Sequence, residues 1–181
     1  ESRRTALQRM ALEQFDKILK RYETDASIPS ADKDPDIYAN RGRIAFSLGY
    51  YDKALKDFRQ AVSMDQHRVD LLLAMGDSLF HVNKRADAKK YYREVLDSGQ
   101  NLAHANFYLG KIFMVEGKPK TAKAHFLAAI DADFKKFPDA HRYLGNIYKE
   151  ARFKDMAVKY YRNYLELIPP NTPQARDVRN T

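Results

Sequence analysis

Residues 107–126, FYLGKIFMVEGKPKTAKAHF, contain the pattern that decides the fold of this chain. Gly110 is followed twelve residues later by Ala122 and sixteen residues later by an aromatic residue, Phe126. The pattern occurs four times, and its glycines are separated by 34, 34 and 35 residues. The four sets are Gly42, Ala54 and Phe58; Gly76, Ala88 and Tyr92; Gly110, Ala122 and Phe126; and Gly145, Ala157 and Tyr161. Self-similarity at this period predicts an α-solenoid, in which a unit of two helices repeats and each copy buries its apolar face on its neighbours.

The local pattern in each unit is helical. Apolar residues recur at spacings of three and four, which places them on one stripe of each of two helices. Gly49 falls between the two stripes, where a turn is required. A glycine in the middle of a helix costs about 1 kcal/mol relative to alanine, so Gly42 and its three counterparts need a packing reason. We expect a close approach of two helix backbones, with the alanine supplied by the second helix.

The pattern resembles the tetratricopeptide repeat over residues 35–171. In place of the family's leucine-glycine pair the chain has Arg41-Gly42, Met75-Gly76, Leu109-Gly110 and Leu144-Gly145. The family's turn glycine is kept as Gly49 and Gly117 but becomes Asn83 and Arg152, and Pro169 alone stands near the family's terminal proline. The resemblance implies an all-α fold, an α-solenoid of stacked antiparallel helix pairs.

The same pattern sets the expected domain boundaries. Ala11, Phe15, Ile18 and Leu19 repeat the stripe of a second helix, but only ten residues precede Ala11. Because the chain also begins with Glu1, we expect it to be a segment of a longer protein. The predicted parts are a partial repeat helix at 1–22, an inserted polar loop at 23–34, repeats at 35–68, 69–102, 103–137 and 138–171, and the start of a capping helix at 172–181.

Composition and motifs argue against catalysis and cofactors. The sequence has no cysteine, no glycine-rich phosphate loop and no His-Glu-x-x-His motif. Its five histidines are scattered, which favours surface or interface positions over ligation. No apolar run approaches the length of a membrane span, and no signal peptide precedes the first helix. We therefore expect no enzyme activity, no cofactor and no transmembrane segment, while the compartment stays undetermined.

The resemblance also implies a binding surface. In the family, the first helix of each repeat lines a concave groove that holds a protein or peptide partner. Transferred position by position, the expected groove residues are Asn40, Arg43, Phe46, Leu73, Asp77, Phe80, Phe107, Tyr108, Lys111, Met114, Arg142 and Asn146. The apolar members are expected to form a groove floor and to stand clear of the inter-helix seam, with inward packing as the alternative for each one. Such a floor suits an amphipathic helix or an extended peptide.

One partner class is disfavoured within this family. Members that bind chaperone tails hold a carboxylate with basic residues on successive first helices. Asn40 occupies a suitable place, but the places where the basic clamp would be hold Ala39, Ala74, Phe107 and Tyr108. The expected role is instead a scaffold within a larger multiprotein assembly, for which bacterial envelope, secretion and motility machinery are candidates.

Two alternatives remain open. The formal charge of +8 includes basic residues in second helices and junctions, which could bind nucleic acid or an anionic membrane surface. Asp87, Glu94 and Asp97 are interleaved with them and weaken that hypothesis, so a solvated face is favoured and nucleic acid is disfavoured. Self-association through the ends of the repeat array is the second alternative.

Overall fold

The computed structural model describes residues 2–25 and 34–180, and in this part of the chain every regular element is a helix. The ten described helices are α1 (Arg3–Thr24), α2 (Pro35–Ser47), α3 (Tyr51–Met64), α4 (Val69–His81), α5 (Arg85–Asp97), α6 (Leu102–Val115), α7 (Pro119–Ala132), α8 (Pro138–Glu150), α9 (Lys154–Leu167) and α10 (Pro173–Arg179).

The chain forms two compact units. The first, residues 1–94, contains α1 to α4 and most of α5; α1 packs on α2, α2 on α3, and α3 on α4. The second, residues 95–181, contains the end of α5 and α6 to α10; α6 pairs with α7, α8 with α9, α7 packs on α8, and α10 packs on α9. Short turns join the paired helices, as expected for antiparallel neighbours.

Side-chain caps and prolines fix several helix starts. The Asp34 carboxylate accepts a hydrogen bond from the backbone N–H of Asp36 at 2.8 Å, and the Thr172 hydroxyl accepts one from Ala175 at 3.2 Å. Proline occupies the first turn of α2, α7, α8 and α10, where a missing N–H costs nothing. Helix α1 continues to Thr24, beyond the boundary predicted at residue 22. Residues 26–33 of the predicted loop lie outside the described residues.

The mid-helix glycines pack against aromatic rings, and the expectation of a backbone-to-backbone contact is wrong. A Cβ atom built on Gly110 would lie 2.6 Å from Cε1 of Phe126, and the corresponding distances are 2.8 Å from Gly42 to Phe58 and from Gly76 to Tyr92. Gly145 faces Tyr161 in the same way. Each ring therefore occupies the volume that a side chain on its glycine would need, which explains why the two residue types recur sixteen positions apart.

The turn position between paired helices has left-handed backbone in all four repeats. Gly49 and Gly117 have φ angles of 81° and 70°, and Asn83 and Arg152 adopt the same region at 65° and 63°. Glycine reaches this region without strain and asparagine at small cost, but arginine does not. At Arg152 the chain therefore adopts the same left-handed turn, although arginine disfavours this conformation.

A buried ion pair explains why Arg41 replaces the family's leucine in the first repeat. Its Nε and Nη2 atoms donate to the two carboxylate oxygens of Asp57 at 2.8 and 2.5 Å, and Asp57 is buried. Its Nη1 donates to Asp16 of α1 at 2.8 Å, and Lys53 also donates to Asp16. Burial opposes ionisation, but the hydrogen bonds from Lys53 and Arg41 outweigh it and lower the pKa of Asp16. These contacts attach α1 to the first repeat.

Candidate functional site

The predicted groove residues of the first unit begin with a polar network across α2 and α4. Arg43 donates to Asn40 at 3.0 Å and to Asp70 at 2.6 Å. Arg68 donates to Asp70 at 2.9 Å and to Asp36 at 2.5 Å. The hydrogen bond from Arg68 lowers the pKa of Asp70 although burial opposes it. The first helices of this unit therefore present a linked set of charged and polar side chains, and Asn40 and Arg43 belong to it.

An aromatic cluster follows toward the ends of α2 and α4. The Phe46 ring lies edge-on to Tyr51 and His81, with centroid distances of 5.1 and 5.3 Å, and Tyr51 stacks on His81 at 4.4 Å. Phe80 contacts the same histidine at 5.8 Å. Phe46, Phe80 and the predicted Leu73 are half-buried. The structure thus brings Phe46 and Phe80 to one cluster around His81.

Two of the predicted groove residues accept hydrogen bonds from ring hydroxyls. Tyr92 donates to Asp77 at 2.8 Å in the second repeat, and Tyr161 donates to Asn146 at 2.8 Å in the fourth. In both cases the tyrosine is the ring that faces the mid-helix glycine. Asp77 and Asn146 therefore help to hold the paired helices together.

Phe107 is buried, and the expectation that it stands clear of the inter-helix seam is wrong. Its ring stacks on Phe137 at a centroid distance of 4.5 Å and contacts Phe126 at 6.1 Å. Phe137 belongs to the segment that enters α8 and lies outside the repeating pattern. Inward packing, the alternative for each apolar groove residue, is the outcome here.

Tyr108 and Lys111 form a partly exposed patch beside Phe107. Tyr108 stacks on His104 at 4.8 Å, and the ammonium group of Lys111 lies 5.0 Å from the Tyr108 ring centroid and 5.6 Å from that of Phe107. These distances are in the range of cation–π attraction. The patch combines an aromatic surface with positive charge.

The second unit also contains an apolar pocket at the carboxyl ends of α6 and α8. Its volume is about 410 Å³, and Met114 and Asn146 of the predicted groove both line it. Ile147, Tyr148 and Phe153 supply further apolar surface. Lys120 and Lys123 line it as well, and the Lys123 ammonium lies 5.3 Å from the Tyr148 ring centroid. Of the predicted residues in this unit, Met114 and Asn146 are the two that line this pocket.

Sequence reasoning missed Tyr148 and Phe153 as site residues. Tyr148 stands at the family's signature tyrosine, which was a readable signal. Phe153 follows the turn at Arg152 and has no aromatic counterpart in the second and third repeats, so the repeat pattern gave no indication of it.

The predicted groove residue Arg142 donates to Asp139 at 2.8 Å, and its guanidinium group lies over the rings of Tyr143 and Tyr164.

One histidine contradicts the predicted surface positions, and the described histidines do not form a metal-binding group. His141 is fully buried, which contradicts its predicted surface or interface position; Nε2 lies 3.0 Å from the Phe134 carbonyl oxygen. Burial lowers the pKa of His141, with the Phe134 contact opposing. His125 pairs with Asn106 at 2.8 Å. Over residues 2–25 and 34–180, no group of three or more His, Cys, Asp or Glu side chains could hold a metal ion.

The basic residues of the alternative hypothesis make several contacts within the protein. Lys118 pairs with Glu116 at 2.8 Å, and Lys90 lies 3.8 Å from Asp87. Lys123 and Lys136 lie over the rings of Tyr148 and Phe137. Among the helices that the structure describes, none is both long and apolar enough to cross a bilayer.

Comparison with solved structures supports the fold. PilF of Pseudomonas aeruginosa matches with a TM-score of 0.72 and 19% identity, covering 96% of this chain and 82% of that one. A MamA segment from Desulfovibrio magneticus RS-1 matches with a TM-score of 0.69 and 17% identity, covering 92% and 96%. YrrB, a tetratricopeptide repeat protein described as having an unusual peptide-binding site, matches with a TM-score of 0.65 and 18% identity, covering 88% and 77%.

Comparison of sequences identifies the family. No curated protein sequence matches the chain. Two family models, each described as tetratricopeptide repeat, match at residues 35–68 and 73–133, which together make up slightly more than half of the chain. Their positions coincide with the repeats around Gly42, Gly76 and Gly110, and the predicted all-α solenoid class is confirmed. The chain belongs to the tetratricopeptide repeat family.

Proposed function

We propose that the protein is a non-catalytic scaffold that binds a helical or extended segment of a partner protein on the face formed by the first helices of its repeats. The pocket at Met114 carries this proposal, because predicted groove residues and apolar side chains converge there on a cavity large enough for one anchoring side chain. The twelve predicted groove residues, each considered within its own unit, remain the proposed binding surface. Phe107 is buried and supports the side chains around it.

The chemistry of the pocket defines the anchor. Met114, Ile147, Tyr148 and Phe153 provide an apolar lining, so an aromatic or large aliphatic side chain fits best. Burial of apolar surface is favourable by about 25 cal/mol per Å², and one well-packed anchor contributes on the order of 2 kcal/mol.

The surrounding charges define the residues next to the anchor. Lys120 and Lys123 line the same pocket beside one carboxylate, Glu150, and Lys111 lies over Tyr108 on α6. A carboxylate beside the anchor would interact favourably with these ammonium groups. We therefore propose an acidic, amphipathic segment as the ligand. The peptide-binding site in the name of YrrB supports this function as one that the fold can carry.

The test uses peptides selected from a random display library for binding to the 181-residue chain. Their dissociation constants are measured by fluorescence anisotropy for the wild type and for Met114→Lys, with Val158→Lys as the control because Val158 is an exposed apolar residue of α9. We expect Met114→Lys to weaken binding at least about tenfold, equivalent to roughly 1.4 kcal/mol, and Val158→Lys to leave it unchanged. Circular dichroism melting confirms that both variants are folded.

A third variant separates this site from the basic alternative. Lys89→Glu/Lys90→Glu reverses charge on α5 at two residues that do not line the pocket. It should change binding little, and mainly at low salt. Loss of binding in this variant together with full binding by Met114→Lys would contradict the proposed pocket and favour the basic surface.

A further inference from the structure

His141, near the start of α8, is a fully buried titratable group that the proposed binding site does not use. Its Nε2 atom lies 3.0 Å from the carbonyl oxygen of Phe134. Because a carbonyl oxygen can only accept a hydrogen bond, Nε2 carries the hydrogen and donates it. The other ring nitrogen, Nδ1, is shielded from solvent and has no hydrogen-bond partner among the described residues. The environment therefore satisfies the neutral form of this imidazole and provides nothing for a second N–H.

The contact with Phe134 attaches the connection between α7 and α8 to the start of α8. Helix α7 ends at Ala132 and α8 begins at Pro138, so Phe134 lies within this connection. Its ring lies edge-on to the His141 ring with a centroid distance of 4.5 Å, while 45% of the Phe134 surface stays exposed. One hydrogen bond and one ring contact from His141 thus hold the connection in place.

Protonation of His141 opposes this arrangement. It places a positive charge and a second N–H, at Nδ1, in a site that solvent does not reach and where the described residues offer no acceptor, which is costly. Burial lowers the pKa of His141, and the Phe134 carbonyl opposes that effect. A chain in which this site has opened binds the proton with the ordinary histidine pKa of about 6.5. The closed form is therefore fully favoured above about pH 6.5 and loses stability as the pH falls below it.

The charged groups on the surrounding elements do not compensate the protonated ring. Tyr160 of α9 contacts it with a centroid distance of 6.2 Å, and the ammonium group of Lys159 lies 5.8 Å from the Tyr160 centroid. The charged residues at the end of α7, in the connection and at the start of α8 are exposed or paired: Asp131, Asp133, Lys135 and Lys136 are exposed, and Asp139 is bonded to Arg142. Lys120, Lys123 and Glu150 line the pocket at the other ends of α7 and α8. Opening of the site is thus the available response to protonation.

A continuous set of ring contacts joins His141 to the pocket at Met114. The Tyr160 ring, which contacts His141, also stacks on Tyr148 at a centroid distance of 5.5 Å and an angle of 2°. Tyr148 lines the pocket, and Lys123 of α7 lies over its ring at 5.3 Å. Helices α7 and α8 pack on each other and both contribute to the pocket lining. A change in the packing of α7 on α8 therefore alters two walls of the pocket.

We propose that His141 is a pH-sensitive switch: its protonation on acidification frees the connection at residues 133–137, loosens the packing of α7 on α8 and releases the ligand from the pocket at Met114. At neutral pH the hydrogen bond to Phe134 keeps the pocket closed around its ligand. The loosening depends on the contacts of His141 alone. The release of a ligand rests, in addition, on the proposed function.

The first test compares the pH dependence of stability in matched variants. His141→Gln keeps an N–H group for the Phe134 carbonyl but does not titrate, and His67→Gln removes an exposed histidine between α3 and α4 as the control. Between pH 7.5 and pH 5.0 the melting temperature of the wild type should fall at least about 3 °C further than that of His141→Gln. His67→Gln should behave as the wild type does. Equal falls in the wild type and His141→Gln would overturn the proposal.

The second test needs no variant, so it also holds where His141→Gln does not fold. Amide hydrogen exchange is measured on the wild type and expressed relative to the rates of an unstructured chain at the same pH. Protection of residues 134–141 should fall at least about tenfold from pH 7.5 to pH 5.0, while protection of α3 changes less. An equal change in both regions would mean that acid acts on the whole chain and not at His141, and would overturn the proposal.

The third test connects the switch to the pocket. The dissociation constant of a display-selected peptide that binds at pH 7.5 is measured by fluorescence anisotropy at both pH values. Binding to the wild type should weaken at least about fivefold at pH 5.0, whereas binding to His141→Gln should change less than about twofold. Equal weakening of both would overturn the link between His141 and the pocket. Failure of every peptide to bind at pH 7.5 would instead overturn the proposed function and the release with it, and the melting and exchange experiments would still decide the loosening.

Discussion

The first and third repeats differ from the second and fourth at three matching positions. The ring that covers the mid-helix glycine is phenylalanine in the first and third repeats and tyrosine in the other two. The residue after the glycine is basic in the first pair, Arg43 and Lys111, and accepts a tyrosine hydrogen bond in the second pair. The turn residue is glycine in the first pair and Asn83 or Arg152 in the second.

This difference shows that one sequence position can serve packing in one repeat and the surface in another. Where the ring has a hydroxyl group, that hydroxyl donates a hydrogen bond to Asp77 or to Asn146. Where the ring has none, Arg43 donates to Asn40 and Asp70, and Lys111 lies over Tyr108. The basic residues at this position therefore belong to the repeats whose covering ring has no hydroxyl group to bond.

The largest expected effect is common to both classes of repeat. Gly110→Leu should destabilise the protein by about 3 kcal/mol or more, because a Cβ at this position would lie 2.6 Å from the Phe126 ring. Gly76→Leu should act similarly against Tyr92. Thermal and urea unfolding measure both. Unchanged melting temperatures would show that the rings do not fill these positions.

The next largest loss of stability is expected at Arg41, a position at which the first repeat differs from the third. Arg41→Leu restores the residue found at Leu109 but leaves the buried Asp57 without its bidentate partner, which should cost about 3–5 kcal/mol. The double variant Arg41→Leu/Asp57→Ala should recover much of that loss. Urea unfolding of the single and double variants measures the coupling. Equal stability of the two variants would contradict a role for the ion pair.

A smaller effect distinguishes the tyrosine repeats. Tyr161→Phe removes the hydroxyl that bonds Asn146 and should cost about 1 kcal/mol, and Tyr92→Phe, whose acceptor Asp77 is a carboxylate, about 1.5–3 kcal/mol. Free energies of unfolding from urea titration test the order. The reverse order would mean that the acceptor's charge does not set the strength of the bond.

The smallest effect is stabilising. Arg152→Gly should raise stability by up to about 1 kcal/mol, because arginine is strained at a φ of 63° whereas glycine is not. Gly117→Ala, at the same position of the third repeat, should instead lower it by a similar amount. Melting temperatures that move in opposite directions confirm the prediction, and a loss of stability in Arg152→Gly would contradict it.

The sequence was sufficient to predict the helical repeats because the glycine, alanine and aromatic positions recur in phase. It also predicted the turn at Gly49, whereas at Arg152 the register gave the position of the turn but not its left-handed backbone. It did not predict the ring contact of Gly110, since periodicity shows which residues share a face and not which atoms fill it. The burial of Phe107 depends on Phe137, and the pocket depends on Phe153; both lie outside the repeating pattern.

The most direct test of peptide binding on the first-helix face is chemical-shift mapping by NMR with a display-selected peptide. Titration into the isotope-labelled chain should shift the methyl and aromatic signals of Met114, Ile147, Tyr148 and Phe153 most strongly, because the anchor enters the pocket that they line. Signals of exposed Val158 on α9 should stay in place. Shifts concentrated on Lys89, Lys90 and Arg93, with Met114 and Ile147 unmoved, would contradict the proposed site.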